Sequence, residues 1–241
     1  MVRSSRLLGL FAAFAVCSAL CLGALAGPAA GLSDAEYREM VEDPDFAKSD
    51  KRLNEVWSGL LKEGGLSKAG IRVLKADQAQ WVRKGRDTQA KILMEGGSTA
   101  LEAYTAATRL RADELPGIAG RIFLQDRPDG PQGYYVRREN GRETGWLSVR
   151  WTDKKAGEVS VDAEAILVLR PDNVRSGLWS GGGAVQKGVL KAPDEEGEGS
   201  ATFTFKGDRV QVATTSDFAS GSMGMGVTIE GTYVRQGLPK P

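Results

Sequence analysis

The sequence contains no histidine and only two cysteines, Cys17 and Cys21, among its 241 residues. Without histidine there is no Ser-His-Asp triad and no histidine-ligated zinc or iron. Carboxylate pairs, lysine, tyrosine and Ser-Lys arrangements remain as catalytic options, and none of them stands out by its spacing. We therefore expect a protein that is not an enzyme and needs no cofactor, and we assign no catalytic or metal-binding residue.

The first 26 residues have the pattern of an export signal. Arg3 and Arg6 are followed by an almost wholly apolar run over residues 7–22, and small residues precede a cleavage point after Ala26. The run is short for a membrane span, and a helix-breaking Gly27-Pro28 follows it, which disfavours an anchor. We predict that residues 1–26 are removed, which gives a periplasmic or secreted protein with no membrane attachment.

The sequence has no large excess of charge of either sign, with 32 Lys and Arg against 31 Asp and Glu. The signal holds two arginines and no acid, so its removal leaves 30 against 31, a net charge of −1. Electrostatic binding of nucleic acid needs a basic face, and we expect no nucleic-acid partner. Both cysteines would leave with the signal, so the mature chain would have no disulfide and would depend on burial for stability.

Residues 32–116 have helical periodicity, as in the apolar series Leu53, Val56, Trp57, Leu60 and Leu61. Capping residues predict helix starts at Ser33, Asp43, Ser67 and Ser98. Glycine and proline predict helix ends at Gly64-Gly65 and Pro116-Gly117, and the third helix is expected to run on to about Met94. These signals predict an N-terminal antiparallel helical bundle.

From residue 118 the apolar period changes to two. The predicted strands are 133–138, 145–151, 159–169, 184–191, 201–206, 209–214 and 227–235. A hairpin is predicted at Lys206-Gly207-Asp208, and glycines 181–183 and the acidic stretch 194–198 are assigned to loops. The pattern predicts an all-β antiparallel barrel or sandwich over 118–236, and hence an α+β chain whose domain boundary lies near residues 116–120.

Several isolated features in the chain have both a functional and a structural interpretation. Trp146 and Trp151 are five residues apart and should face opposite sides of a strand, so one is expected in the core and one exposed as an anchor for a partner or sugar. Met223 and Met225 would form a flexible binding lip or fill the barrel. The acidic stretch 194–198 would attract a basic partner or form a solvated loop. The carboxylates around Asp45 match no known calcium loop.

A set of residues between positions 50 and 115 has an ordered spacing. It comprises Asp50, Leu53-Asn54, Trp57, Gln78, Trp81, Arg86-Asp87, Gly97-Ser98, Thr108, Arg111 and Leu115. This set resembles the LprI-type domain, a family of exported bacterial proteins named for a lysozyme inhibitor. The family has two further cysteines, and the corresponding neighbourhoods here hold Thr88-Gln89-Ala90 and Ala103, which implies the loss of one disulfide as a unit. The segment from Gly224 to Tyr233 loosely resembles the last strand of small exported β-domains.

The resemblance implies a set of candidate site residues, namely Asn54, Gln78, Trp81, Arg86, Asp87 and Arg111. They would either pack and hydrogen-bond inside the helical half or contact a partner. The implied function is that of an exported, non-enzymatic inhibitor that occludes the cleft of a lysozyme-like peptidoglycan hydrolase. Three alternatives stay open: a β-barrel that binds a glycan or small ligand, a structural or stress protein of the cell envelope, and a hydrolase that uses two acids about 5 to 9.5 Å apart.

Overall fold

The structure, a computed structural model, describes residues 33–170, 173–194, 199–215, 218 and 223–239. Helices occupy the first part of the described chain and strands occupy the rest, so the fold is α+β, as predicted. The predicted export signal lies outside the described residues, and so does the acidic stretch from 195 to 198.

Most of the predicted helix starts coincide with observed caps. The helices are α1 Asp34–Glu42, α2 Pro44–Glu63, α3 Lys68–Gln80, α4 Arg86–Glu95 and α5 Ala100–Asp126, and a π-helical turn, Trp81–Gly85, joins α3 to α4. The side chains of Ser33, Asp43 and Ser67 accept backbone N–H groups at the starts of α1, α2 and α3. The start predicted at Ser98 is wrong. Thr99 caps α5 instead, because it forms a capping box with Glu102.

Helix α5 continues through Pro116, so the end predicted at Pro116-Gly117 is wrong. Proline has no N–H to donate to the carbonyl four residues earlier, which weakens the helix locally. A buried stripe nevertheless continues along the same side of α5, through Ala112, Leu115, Ala119 and Ile122. We attribute the continuation to the packing of this stripe. Helical structure therefore extends to Asp126, and the change from helix to strand lies beyond the predicted boundary.

Helix α5 contacts α2, α3 and α4 and is the element that holds the helical part together. One buried apolar cluster includes Leu53 of α2, Leu74 of α3 and Leu115 of α5. A second cluster consists of Phe46, Ala90, Ala103 and Tyr104. In the π-helical turn, a Cβ on Gly85 would lie 2.8 Å from the ring of Trp81, so glycine is needed for this close approach.

The strands form one antiparallel sheet that is nearly closed. They are β1 Gly133–Glu139, β2 Arg142–Asp153, β3 Glu158–Arg170, β4 Asn173–Ala184, β5 Val189–Pro193, β6 Ser200–Lys206, β7 Arg209–Thr214 and β8 Gly231–Arg235. Their order is β4-β3-β2-β1-β8-β7-β6-β5, and the outer strands β4 and β5 contact each other. The sheet is therefore barrel-like, which decides between the two predicted β architectures. The predicted hairpin at Lys206-Gly207-Asp208 is confirmed between β6 and β7.

The assignment of glycines 181–183 to a loop is wrong, because they belong to β4. A Cβ on Gly182 would lie 2.5 Å from the carbonyl oxygen of Val159, and a Cβ on Gly181 would lie 2.5 Å from the ring of Trp179. Glycine in this strand therefore permits a close approach of backbone and ring. The sequence alone does not distinguish such glycines from those of a turn.

Two predicted strands have the wrong limits. The stretch 184–191 is interrupted by a turn at Lys187-Gly188, whose φ angles of 50° and 78° are both positive, as in the turns that connect hairpin strands. Strand β5 therefore begins only at Val189. The stretch 227–235 is strand only from Gly231 onward, and Met223 forms an isolated bridge with Gly177 of β4. The segment 223–230 thus runs between β4 and β8 at one end of the barrel.

The outer face of the sheet packs against the end of α5. Leu124 of α5 forms a cluster with Tyr134 and Trp146. Trp146 lies on this outer face, whereas Trp151 packs against the barrel core, so the prediction of opposite sides is confirmed. Neither ring is exposed, which corrects the expectation of an exposed anchor. Trp146 Nε1 donates to Glu164, and Trp151 Nε1 donates to a backbone carbonyl.

After β8 the chain returns to the helical part. The N–H of Gln236 donates to the carbonyl of Tyr134 over 2.8 Å, and Leu238 packs against the apolar cluster that contains Leu53 and Leu74. Together with the contact between α5 and the sheet, this segment connects the helices to the barrel.

Candidate functional site

The motif residues on α3, the π-helical turn and α5 meet around Arg111. This side chain is buried, with 4% of the residue exposed. Its Nε donates to Gln78 Oε1 over 2.9 Å, and its Nη2 makes an ion pair and hydrogen bond with Asp77. The guanidinium also lies over the ring of Trp81, with 5.5 Å between the guanidinium carbon and the ring centroid. Three of the six candidate residues, Gln78, Trp81 and Arg111, thus form one network.

Trp81 is fixed by a partner that sequence reasoning missed. Its Nε1 donates to Gln89 Oε1 over 3.0 Å. Gln89 is eight residues further along the chain, which in a continuous helical segment places it two turns away. The signal that would have found it is the requirement for a hydrogen-bond acceptor near any buried indole N–H.

The other three candidates belong to a second network around Arg86. The guanidinium of Arg86 lies between two tyrosine rings, 5.9 Å from the centroid of Tyr37 and 5.8 Å from that of Tyr104. Tyr104 donates its hydroxyl to Asp87 over 3.2 Å, and Arg86 Nε lies 3.7 Å from the same carboxylate. Among the described residues, this Nε is buried and has no hydrogen-bond partner.

Asp50 completes the second network. Its carboxylate accepts from the hydroxyl of Tyr37 over 3.2 Å and from Asn54 Nδ2 over 3.0 Å. Burial raises the pKa of Asp50, partly offset by these hydrogen bonds and by the charge of Arg86. Burial and the neighbouring Asp50 charge together raise the pKa of Tyr37 to about 12. At neutral pH the network therefore contains a neutral Tyr37 phenol that donates to the Asp50 carboxyl group.

The six candidate residues do not form a single site. Trp57 does pack against the apolar cluster of Trp81, but Asn54 bonds to Asp50 in the other network. In both networks the candidate residues contact one another and other residues of the helical part.

The two neighbourhoods in which the resemblance would place cysteines also come together. Ala90 on α4 and Ala103 on α5 are both completely buried and belong to one apolar cluster with Phe46 and Tyr104. A small residue of each neighbourhood therefore occupies the interior of the helical part.

A cleft of about 580 Å³ lies at one end of the barrel. Strands β1 and β8 pair at only two positions, although β1 continues from Val136 to Glu139. Beyond Val136 the side chain of Arg137 bridges the gap: Nη1 donates to the backbone carbonyls of Thr228, over 3.0 Å, and of Glu230. The cleft is lined by residues of β1, β3 and β7 and of the segment 226–231. Sequence reasoning missed it because only the strand register brings these segments together.

The methionines differ in their positions. Met223 packs against the barrel core and lines a smaller neighbouring cavity of about 250 Å³, which shares Thr228 and Glu230 with the cleft. Met225 is 80% exposed. Of the two interpretations, barrel filling therefore applies to Met223.

The carboxylates considered for calcium have other roles. Asp43 accepts the N–H groups of Asp45 and Phe46 at the start of α2, and Asp50 belongs to the second network. In the described ranges, no three acidic side chains are grouped in a way that would hold a metal ion.

Comparisons with family models, curated proteins and solved structures found no match to this chain. None of the helices in the described part of the chain has the length and apolar character that a membrane span requires.

Proposed function

We propose that this chain is an exported, non-enzymatic binding protein that inhibits a lysozyme-like peptidoglycan hydrolase in the periplasm or outside the cell. The observation that carries the proposal is that all six candidate residues belong to two polar networks. An ordered motif whose members contact one another marks one packed structural unit, which supports the resemblance to LprI-type domains. A shared fold does not by itself determine function, so the proposal depends on a direct assay.

The proposed mechanism is occlusion of the hydrolase cleft by the surface of this protein. Buried networks fix the positions of α3, α4 and α5, and a binding surface that is rigid before association loses less entropy on binding. The side chains of the six residues contact partners inside the helical part, so these residues would support the contact surface and would not form it. Substitution of Trp81 or Arg86 would therefore not test the contact surface directly.

The experiment is a lysis assay with the whole chain from Gly27 to Pro241. The turbidity of a peptidoglycan suspension is followed with chicken-type and goose-type lysozymes at increasing concentrations of the protein. We expect the lysis rate to fall in proportion to the protein added until the enzyme is saturated. The control is the same protein after heat unfolding. An unchanged rate at micromolar excess of protein that is folded by circular dichroism would contradict the proposal.

A second candidate function is supported by the barrel cleft. Its volume of about 580 Å³ lies within the range of about 300 to 1,000 Å³ that is typical of ligand pockets. A glycan or another small ligand of the cell envelope would bind there. Titration with oligomers of N-acetylglucosamine, followed by the amide resonances of Gly226 and Gly231 in NMR spectra, tests this function. Unchanged resonances at millimolar oligosaccharide would exclude it.

A further inference from the structure

The walls of the barrel cleft combine an apolar side chain with two carboxylates. Leu167 contributes apolar surface, whereas Val212, which also borders the cleft, is only 1% exposed and belongs to the barrel core. Glu139 and Glu230 contribute the carboxylates. Taken with Arg137, the ionisable groups that line the cleft carry one net negative charge. None of the described residues that line this cleft is aromatic, so these residues do not provide the flat surface on which sugar rings commonly stack.

Arg137 does not make the cleft a receptor for anions. Its Nη1 donates to two backbone carbonyls, its Nη2 donates to the carbonyl of Thr144 over 3.1 Å, and its Nε donates to Thr144 Oγ1 over 3.1 Å. The guanidinium also lies over the ring of Tyr233. Its donors are thus used within the barrel wall, where they replace the missing pairs between β1 and β8.

Glu230, in contrast, is held in place as an acceptor. Its Oε1 accepts from the hydroxyl of Thr214 over 2.7 Å and from the N–H of Thr214 over 3.0 Å. These two bonds lower the pKa of Glu230, so the group is ionised at neutral pH. Its Oε2 has no hydrogen-bond partner within the described ranges and is left to interact with a ligand. Glu139 makes an ion pair with Arg137, with 3.6 Å between Arg137 Nε and Glu139 Oε1, and its side chain is 64% exposed.

We propose that this cleft binds the basic side chain, arginine or lysine, of a partner protein. The cationic head would interact with the carboxylates of Glu139 and Glu230, and the aliphatic stem would lie against Leu167. Long basic side chains have this division between an apolar stem and a charged tip. The identification of the partner as the hydrolase rests on the function proposed above, whereas the chemistry of the cleft does not.

The test uses the whole mature chain and no hydrolase, so its outcome is independent of the lysis assay. The probes are N-acetyl-arginine amide, its neutral isostere N-acetyl-citrulline amide, and the N-acetylglucosamine trimer, each followed by the amide resonances of Gly226 and Gly231. We expect the arginine probe to shift both resonances and to bind at least about tenfold more tightly than the citrulline probe. Equal binding of the two amides, binding of the trimer alone, or no shift at millimolar arginine probe would overturn the proposal.

Variants locate the interaction within the cleft. Glu230→Gln removes the charge and keeps an acceptor for Thr214, so the barrel should stay folded while arginine binding weakens by about tenfold. Glu143→Gln is the matched control, because Glu143 lies on the neighbouring strand β2, is half-exposed and does not line the cleft. Equal effects of the two variants would overturn the assignment. In the lysis assay, Glu230→Gln should reduce inhibition, and unreduced inhibition would exclude the hydrolase as the source of the basic side chain.

Discussion

Replacement of Arg111 by methionine is the most informative test of the helical part. Arg111→Met keeps a long apolar stem and removes the guanidinium that joins α5 to α3. Gln78 and Asp77 then lose their shared partner, and Trp81 loses the cation above its ring. If the motif marks the networks that hold the helices together, this one change should strongly lower the free energy of unfolding.

The magnitude follows from burial. Removal of one partner of a fully buried ion pair lowers the free energy of unfolding by about 3 to 5 kcal/mol. The side chain of Asp77 is 37% exposed, so water will solvate part of it after the change. We therefore expect a loss of about 2 to 3 kcal/mol, which includes about 1 kcal/mol for the hydrogen bond to Gln78. With a urea m-value of about 2 kcal/mol/M, the midpoint should shift by about 1 M.

The matched control is Arg52→Met. Arg52 on α2 pairs with Asp113 on α5, so it also connects two helices, but the two side chains are 52% and 50% exposed. Such a pair contributes about 0 to 1 kcal/mol. Urea unfolding followed by far-ultraviolet circular dichroism would measure both variants. If Arg111→Met loses no more stability than Arg52→Met, the assignment of the Arg111 network as the main polar connection in the helical part is refuted.

Three further predictions concern the helices. Because burial raises the pKa of Asp50, the folded state binds the proton of this group more tightly than the unfolded state does. In urea unfolding, the wild type should therefore gain stability relative to Asp50→Asn as the pH falls from about 6 to 4. A relative loss of stability over this pH range would contradict the prediction. The double variant Ala90→Cys/Ala103→Cys should form a disulfide on oxidation and increase the free energy of unfolding by about 3 kcal/mol. Unfolding with and without reductant measures this difference, and free thiols after oxidation would contradict the prediction. Pro116→Ala should raise the midpoint of thermal unfolding, because the new N–H can donate to the carbonyl of Ala112 and stabilise α5 by about 1 kcal/mol or more. A lower midpoint would show that proline at this position stabilises the fold.

Local signals in the sequence were sufficient for most helix starts and most strands, but strand β4 was predicted only at its last residue, Ala184. Ser33, Asp43 and Ser67 cap helices because capping depends only on the next few residues. The errors at Pro116 and at glycines 181–183 have the opposite origin. In both places tertiary packing decides the local structure: a buried stripe carries α5 past a proline, and ring and backbone contacts require glycine inside a strand.

The candidate site was partly predictable for the same reason. The resemblance to LprI-type domains identified Gln78, Trp81 and Arg111, which lie on packed helices. It did not identify Gln89 or Tyr37, because their roles depend on which helix lies beside which. The barrel cleft was beyond sequence reasoning altogether, since it exists only where the ladder between β1 and β8 ends early.

The most direct test of the central claim is whether the protein forms a complex with a lysozyme-like hydrolase at the hydrolase cleft. Isothermal titration of the mature chain into chicken-type or goose-type lysozyme would be done with and without a chitooligosaccharide that occupies the enzyme's substrate site. The account predicts an equimolar complex whose apparent affinity falls as the oligosaccharide concentration rises. No measurable heat of binding with folded protein, or a complex that the oligosaccharide does not weaken, would contradict inhibition by occlusion.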